Sequence, residues 1–180
     1  VLIALATLIA IITVTINAPK RAIYDERTYI KSLSLIHEHG LGVAFLESIP
    51  GAAGPTINFV HALAKPVTDY QFPAIRLVNV TLLVLLAGLL VIAVRTTWPQ
   101  LSTTDAFVYG TAFLAMPYVA VSAGLVLTEM PAMLFMTGFV TLLLSIKHIL
   151  RINGLWLLPA IPAAGICLAL AILGRQNYLI

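Results

Sequence analysis

The chain has 180 residues, of which 61% are hydrophobic and only 9% are charged, and its formal net charge is +3. Soluble domains carry roughly a quarter charged residues, so this composition excludes an ordinary soluble domain and predicts a membrane protein. The small, scattered positive charge does not indicate a nucleic-acid partner. The single cysteine, Cys167, excludes an internal disulfide and a thiolate metal site.

Five stretches are apolar enough to cross a membrane, which takes about 20 mostly apolar residues in a helix. They predict an all-α, polytopic transmembrane bundle with spans at about 1–18, 77–94, 106–123, 127–146 and 155–173. A long loop, 19–76, joins the first two spans. Because the chain starts and stops in apolar runs, we expect it to be the N-terminal part of a longer transmembrane domain.

Basic residues in short loops predict the orientation, since they mark the cytoplasmic side. Arg95 follows the second span, and Lys147 and Arg151 follow the fourth. The turn at 124–129 between the third and fourth spans holds neither Lys nor Arg. We therefore expect a cytoplasmic N-terminus and an external first loop, in a bacterial plasma (inner) membrane or the endoplasmic-reticulum membrane.

A loop of this length without structure would be unusual, and its sequence predicts two interfacial helices. Asp25 is placed to cap a helix over Glu26–His39, with Gly40 as its stop. A second helix is predicted over Thr56–Lys65, ended by Pro66. Its predicted apolar stripe contains Ile57, Val60 and Leu63 or Ala64. The opposite, polar face contains Asn58, His61 and Lys65.

The dipeptide Asp25-Glu26 directly follows the first span and Tyr24. Acids are common at helix starts, where they cap the helix and meet the positive end of its dipole. The alternative is a carboxylate held at the membrane surface as a general base or metal ligand. The sequence alone leaves both interpretations open.

Two more charged residues are candidates on the same side. Glu129 lies between two apolar runs, where an acid either caps the fourth span or faces a polar cavity or partner. Arg175 follows the fifth span and is either an interfacial anchor or a phosphate-binding guanidinium. By contrast, His37-Glu38-His39 does not predict a metal site, because residues two apart on a helix point away from each other.

The order of short motifs resembles the GT-C superfamily of membrane glycosyltransferases, in particular the branch that uses dolichyl- or polyprenyl-phosphate sugars. This branch includes protein mannosyltransferases and the aminoarabinose transferases of lipid A. The matching segments are Tyr24-Asp25-Glu26 after the first span, Gly54-Pro55-Thr56 with Asn58-Phe59-Val60, Phe72-Pro73-Ala74-Ile75-Arg76-Leu77-Val78-Asn79, Thr128-Glu129-Met130-Pro131 and Arg175-Gln176. Each motif is short, so their order and spacing carry the resemblance.

The resemblance implies an inverting glycosyltransferase in which Asp25 is the catalytic base and Glu26 orients it or binds the acceptor. Glu129 would bind the acceptor or a divalent cation, whose requirement stays open. Arg175 would bind the phosphate of the donor. The implied partners are membrane lipid, a polyprenyl-phosphate-sugar donor, and a protein, lipid or glycan acceptor.

The competing interpretation is a transporter or assembly protein in which Asp25 and Glu129 line a solute or proton path. Transporters place their acids near the midplane of the membrane, whereas these acids are predicted at one surface. The position of the acids therefore favours the enzyme.

Overall fold

The computed structural model describes residues 2–40, 42–49, 54–152 and 154–174, with only the backbone for 147–152 and 154. Within these ranges the chain is all-helical, as predicted, with no strand. The α-helices are α1 (Leu2–Asn17), α2 (Glu26–Ser32), α3 (Leu35–His39), α4 (Val43–Ser48), α5 (Thr56–Thr68), α6 (Ala74–Thr97), α7 (Thr103–Thr111), α8 (Pro117–Gly124), α9 (Glu129–Ile152) and α10 (Leu157–Gly174). Two 3₁₀ helices cover Ala112–Ala115 and Gly154–Trp156.

Three described helices are long and apolar enough to cross a membrane: α6, the Glu129–Ile146 part of α9, and α10. A fourth span is present if Thr103–Ala115 and α8, which meet at an angle of 75°, are taken together. Helix α1 is apolar but has only 16 residues. The chain therefore has the helices of a membrane protein, whereas the count of five spans stays a prediction.

The predicted third span, 106–123, is not one continuous helix, because it breaks at Met116 and Pro117. A proline has no N–H to donate to the preceding turn, and it pushes the residue before it into an extended conformation. Met116 is extended (φ −78°, ψ 123°), and Pro117 then starts α8. The break gives the chain a second direction before it reaches α9.

Helix α6 lies at the centre of the bundle and packs against α1, α5, α7, α8 and α9, while α10 packs against α9. Gly110 of α7 allows a close approach, since a Cβ there would lie 2.6 Å from the Val91 side chain of α6. One end of the bundle, which we name the loop end, is where α1 ends, α6 begins, α8 ends and α9 begins. The apolar core of the bundle is formed by Ile11, Val80, Leu82, Leu83, Leu114, Val119, Ala123 and Met130.

The predicted helix over Glu26–His39 starts and stops at the predicted residues but is not continuous. It divides into α2 and α3 at Leu33 and Ser34. The Ser32 hydroxyl donates 2.7 Å to the Tyr29 carbonyl, and the Leu33 N–H donates to the Ile30 carbonyl, three residues back. Such hydroxyl bonds compete with the helical ladder and bend or end a helix. Leu33, at the break between the two helices, is fully buried.

The predicted stripe and polar face of α5 are not separated by burial, because Ile57 of the stripe is also buried, at 1% exposed. Asn58 and His61 are 0% exposed, whereas Leu63 is 84% exposed. In a membrane protein the apolar side of a helix can face lipid, so polar residues turn inward to find partners. Helix α5 also continues through Pro66 to Thr68, and Asp69 ends it in the left-handed conformation (φ 42°).

Candidate active site at the loop end of the bundle

A buried ion pair between Glu26 of α2 and Arg76 of α6 organises the loop end. Both side chains are 0% exposed. Arg76 Nε donates 2.8 Å to Oε1 of Glu26, and Nη2 donates 2.7 Å to Oε2. Removing two charges from solvent is costly, and a two-pronged pairing of this kind is what offsets that cost.

The polar atoms of the pair also bind the backbone of segment 19–23. Arg76 Nη1 donates 2.9 Å to the Pro19 carbonyl, and Nη2 donates 3.0 Å to the Arg21 carbonyl. Glu26 Oε2 accepts 3.0 Å from the Ile23 N–H. The chain leading to Asp25 is therefore fixed from its buried side.

The environment of Glu26 keeps its carboxylate ionised. Burial by itself raises the pKa of this carboxyl, but the hydrogen bonds from Arg76, Ile23 and Val126 and the charge of Arg76 outweigh burial and lower the pKa below its usual value. The hydrogen bonds and the positive charge stabilise the ionised form of Glu26. The ion pair is therefore intact at neutral pH.

Glu26 also connects the Asp25 turn to the turn that carries Glu129. Its Oε1 accepts 2.9 Å from the backbone N–H of Val126, three residues before Glu129. Asn79 of α6 holds the same turn from the other side, with Nδ2 donating 2.6 Å to the Leu125 carbonyl and 3.1 Å to the Leu127 carbonyl. The two predicted acidic segments therefore meet at the loop end of the bundle.

Asp25 lies at the first position before α2, as predicted, but its carboxylate does not cap the helix. Only its backbone carbonyl is used, which accepts from the N–H groups of Thr28 and Tyr29. The side chain is exposed and makes no hydrogen bond or ion pair with the residues that the structure describes. The preceding Tyr24 has φ 50°, a conformation that costs energy for a residue with a Cβ.

Glu129 is the first residue of α9 and is half-buried, and its Oε2 is enclosed within the protein. Glu26, predicted to orient the catalytic base or bind the acceptor, uses both oxygens for four N–H donors. That arrangement suits the positioning role. Arg175 lies outside the described residues.

Two buried residues were not predicted as part of the site. Arg76 is part of a predicted motif only, although an arginine at the start of an apolar run is itself a signal of a buried partner. His61 was predicted on the polar face of its helix and not as a site residue, and it is fully buried. Burial lowers the pKa of His61 to about 4, despite a nearby Asn79 side chain, so the imidazole is neutral at physiological pH.

The described residues contain no group of three or more His, Cys, Asp or Glu side chains that could hold a metal ion. In the His37-Glu38-His39 segment, His37 Nε2 lies 3.0 Å from the Tyr70 hydroxyl instead. The oxygens of Glu26 are occupied by N–H donors. A divalent cation at Asp25 and Glu129 would therefore need ligands beyond these described side chains.

No family model, curated protein or solved structure matches this chain. The likeness to GT-C glycosyltransferases consequently depends on the short motifs and on their order along the sequence.

Proposed function

We propose that this chain is part of an inverting glycosyltransferase that moves a sugar from a polyprenyl-phosphate donor to an acceptor at the external membrane surface. The observation that carries the proposal is the state of Asp25. It is an exposed carboxylate with no partner among the described residues, on a turn that the buried Glu26–Arg76 pair fixes. A capping acid would bind its helix, whereas a general base must keep its oxygens free for substrate.

In the proposed reaction Asp25 accepts the proton of an acceptor hydroxyl or amine. The acceptor oxygen or nitrogen attacks the anomeric carbon from the face opposite the phosphate and forms the new glycosidic bond. The bond between the anomeric carbon and the phosphate oxygen breaks, and the phosphate leaves with the electron pair. The configuration of the anomeric carbon is inverted, and no oxidant or reductant is needed.

The rigid surroundings of Asp25 support this role. Catalysis gains most from groups that are already in place before the reaction. Arg76 holds the backbone at Pro19 and Arg21, and Glu26 holds Ile23, so the turn needs little rearrangement. Glu129 would bind the acceptor and Arg175 the donor phosphate in this proposal, and no step of it depends on a metal ion.

The test is transfer from a panel of polyprenyl-phosphate sugars by the full-length protein in membranes. Asp25→Asn should lower transfer by about 10²–10⁴-fold, the usual contribution of a general base. The matched control is Asp69→Asn, which changes another exposed acid of the same loop. Asp69 has a left-handed backbone that asparagine tolerates.

Both variants must insert and melt like wild type for the comparison to count. Because the Asp25 side chain makes no hydrogen bond with the described residues, we expect its substitution to change the free energy of unfolding by less than about 0.5 kcal/mol. Transfer that survives Asp25→Asn would remove Asp25 from the mechanism. An equal loss in Asp69→Asn would mean that any loop acid matters, and would contradict a specific base.

A transporter is the second candidate, and the buried polar residues at the loop end favour it. Asn58, His61, Asn79 and Ser122 are all 0% exposed. A protein that moves protons or solutes needs polar groups inside its bundle. Proton-coupled uptake into proteoliposomes, lost on Glu129→Gln and accompanied by no sugar transfer, would favour the transporter over the enzyme.

A further inference from the structure

An open hollow of about 540 Å³ lies on the loop segment beside Asp25. Its volume is within the range of small-ligand pockets. Its lining contains two arginines separated by a short apolar floor. The lining residues are Arg21, Ala22, Ile23, Tyr24 and Arg27.

The backbone of this hollow is held in place from inside the protein. The Arg21 carbonyl accepts from Arg76, and the Ile23 N–H donates to Glu26. The side chains of Arg21, Tyr24 and Arg27 nevertheless remain exposed. The hollow is therefore a fixed surface with solvent-facing charged groups, and a ligand would not have to order it.

Neither arginine of the hollow forms an ion pair with a residue that the structure describes, since the buried pair joins Arg76 to Glu26. Arg21 makes no side-chain contact of this kind, and Arg27 makes a single long bond, from Nε to the Ala22 carbonyl at 3.4 Å. Lys20, also exposed, adds a third positive charge next to Arg21.

We infer that this hollow binds the phosphate headgroup of a membrane lipid. Arginine guanidinium groups match phosphate oxygens with paired hydrogen bonds. The hollow begins four residues after Asn17, where α1 ends. Lipid headgroups lie at this depth, beside the end of an apolar helix. Tyr24 and Ile23 supply apolar contact of the kind that interfacial sites use.

The source of the phosphate is either a bulk anionic phospholipid or a polyprenyl phosphate. Both present the same group at the same depth. The site goes beyond the proposed transfer reaction, because a lipid phosphate without a sugar should bind it equally well. Binding can therefore succeed even where transfer fails, and the two proposals are separable.

The experiment is arginine footprinting of the full chain in a maltoside detergent, which contains no phosphate. Phenylglyoxal modification of Arg21 and Arg27 is followed by peptide mass spectrometry, with Arg95 as the internal reference. Arg95 is exposed at the opposite end of α6. The probes are polyprenyl phosphate without sugar, phosphatidylglycerol and inorganic phosphate, added in separate samples.

Polyprenyl phosphate or phosphatidylglycerol should slow modification of Arg21 and Arg27 about tenfold when its concentration is ten times its Kd. Arg95 should not be protected. If both lipids protect the two arginines, the site binds the headgroup of bulk anionic phospholipids. If only polyprenyl phosphate protects them, the site binds that lipid. Either result supports the site. No protection, equal protection of Arg95, or equal protection by inorganic phosphate would overturn the inference.

Variants give a second measurement by native mass spectrometry. Arg21→Gln or Arg27→Gln should each weaken lipid binding by about ten- to a hundredfold, the value of a charge-assisted hydrogen bond. The matched control is Lys31→Gln, which removes one exposed charge from the same helix outside the hollow. Equal weakening in Lys31→Gln would indicate only general charge attraction, and would contradict the site.

Discussion

The backbone N–H of Val126 donates a 2.9 Å hydrogen bond to Oε1 of Glu26, although 100 residues separate the two in sequence. Glu26 immediately follows Asp25, and Val126 lies three residues before Glu129. One buried carboxylate thus joins the two segments in which the sequence predicts catalytic acids. The same carboxylate is paired with Arg76, so α2, α6 and the turn before α9 all depend on it.

The first prediction concerns this pair. Glu26→Gln or Arg76→Met should each lower the free energy of unfolding by about 3–5 kcal/mol, because each leaves a buried charge without its partner. The exposed Arg27→Met is the matched control and should cost less than about 0.5 kcal/mol. Denaturation of the detergent-solubilised protein measures all three. Single variants as stable as Arg27→Met would contradict the structural role.

Exchanging the two residues extends that test. The double variant Glu26→Arg with Arg76→Glu again has one acid and one arginine at these positions. We nevertheless expect it to be no more stable than the single variants. The backbone around position 26 offers N–H groups, and that around position 76 offers carbonyl groups. An arginine at position 26 cannot accept hydrogen bonds from these N–H groups, and an ionised glutamate at position 76 cannot donate to these carbonyl groups. Full recovery would mean that the backbone contacts matter little.

The sequence predicted where many helices begin and end, because those signals are local. Asp25 precedes α2, Gly40 ends α3, and Pro55 stands before α5, all as expected. It did not predict the partner of Glu26, since Arg76 lies 50 residues away and only tertiary packing brings it near. A pair of this kind cannot be read from spacing.

The burial pattern of α5 also depends on tertiary structure. A helix that faces water on one side buries its apolar stripe against the protein. Lipid is as apolar as a leucine side chain, so no such driving force acts at a membrane. The polar residues Asn58 and His61 were buried instead, while Leu63 and Val67 face outward. Ile57 of the predicted stripe is buried beside them, so the sequence pattern alone does not predict which side of α5 faces the protein.

The second prediction concerns Asn79, which is fully buried and donates to two carbonyls of the turn before α9. Asn79→Leu should lower the free energy of unfolding by about 1–3 kcal/mol for each carbonyl left without a donor. Thr81→Val, on an exposed site of the same helix, is the matched control. Asn79 also begins an Asn-Val-Thr glycosylation pattern, yet its Nδ2 is occupied. Glycan attachment to the folded protein would contradict this arrangement.

The third prediction concerns Gly54, where the start of α5 meets the end of α10. A Cβ at Gly54 would collide with the backbone carbonyl of Leu173, and the neighbouring Thr56 hydroxyl donates 2.7 Å to the Leu170 carbonyl. Gly54→Ala should therefore lower stability by about 1–3 kcal/mol, as overpacking does.

Gly165 provides the matched control for that substitution. It lies within α10, and a Cβ there would meet no atom within 4 Å. Gly165→Ala should stabilise the helix by about 0.5–1 kcal/mol, because alanine loses less backbone entropy than glycine. The same chemical change should thus have opposite signs at the two sites in a thermal melt. A neutral Gly54→Ala would mean that α5 and α10 are not in close contact.

The fourth prediction concerns the pH dependence that His61 gives to folding. Its pKa is lowered from 6.5 to about 4 in the folded protein. Between those two values the unfolded chain binds a proton that the folded chain does not, so stability must fall as the pH falls. The loss should be about 2 kcal/mol between pH 7 and pH 5. Glu26, whose folded pKa is lowered below 4.5, loses its stabilising charge only at lower pH, outside this window.

Comparison of His61→Gln with His37→Gln isolates the effect. Glutamine removes the titrating group at position 61, so His61→Gln should lose most of the stability change between pH 7 and pH 5. The control His37→Gln changes an exposed histidine and leaves His61 in place, so it should keep the wild-type slope. Melts at both pH values provide the measurement. If His61→Gln retains the wild-type slope, the imidazole is not buried as a neutral group at the loop end of the bundle.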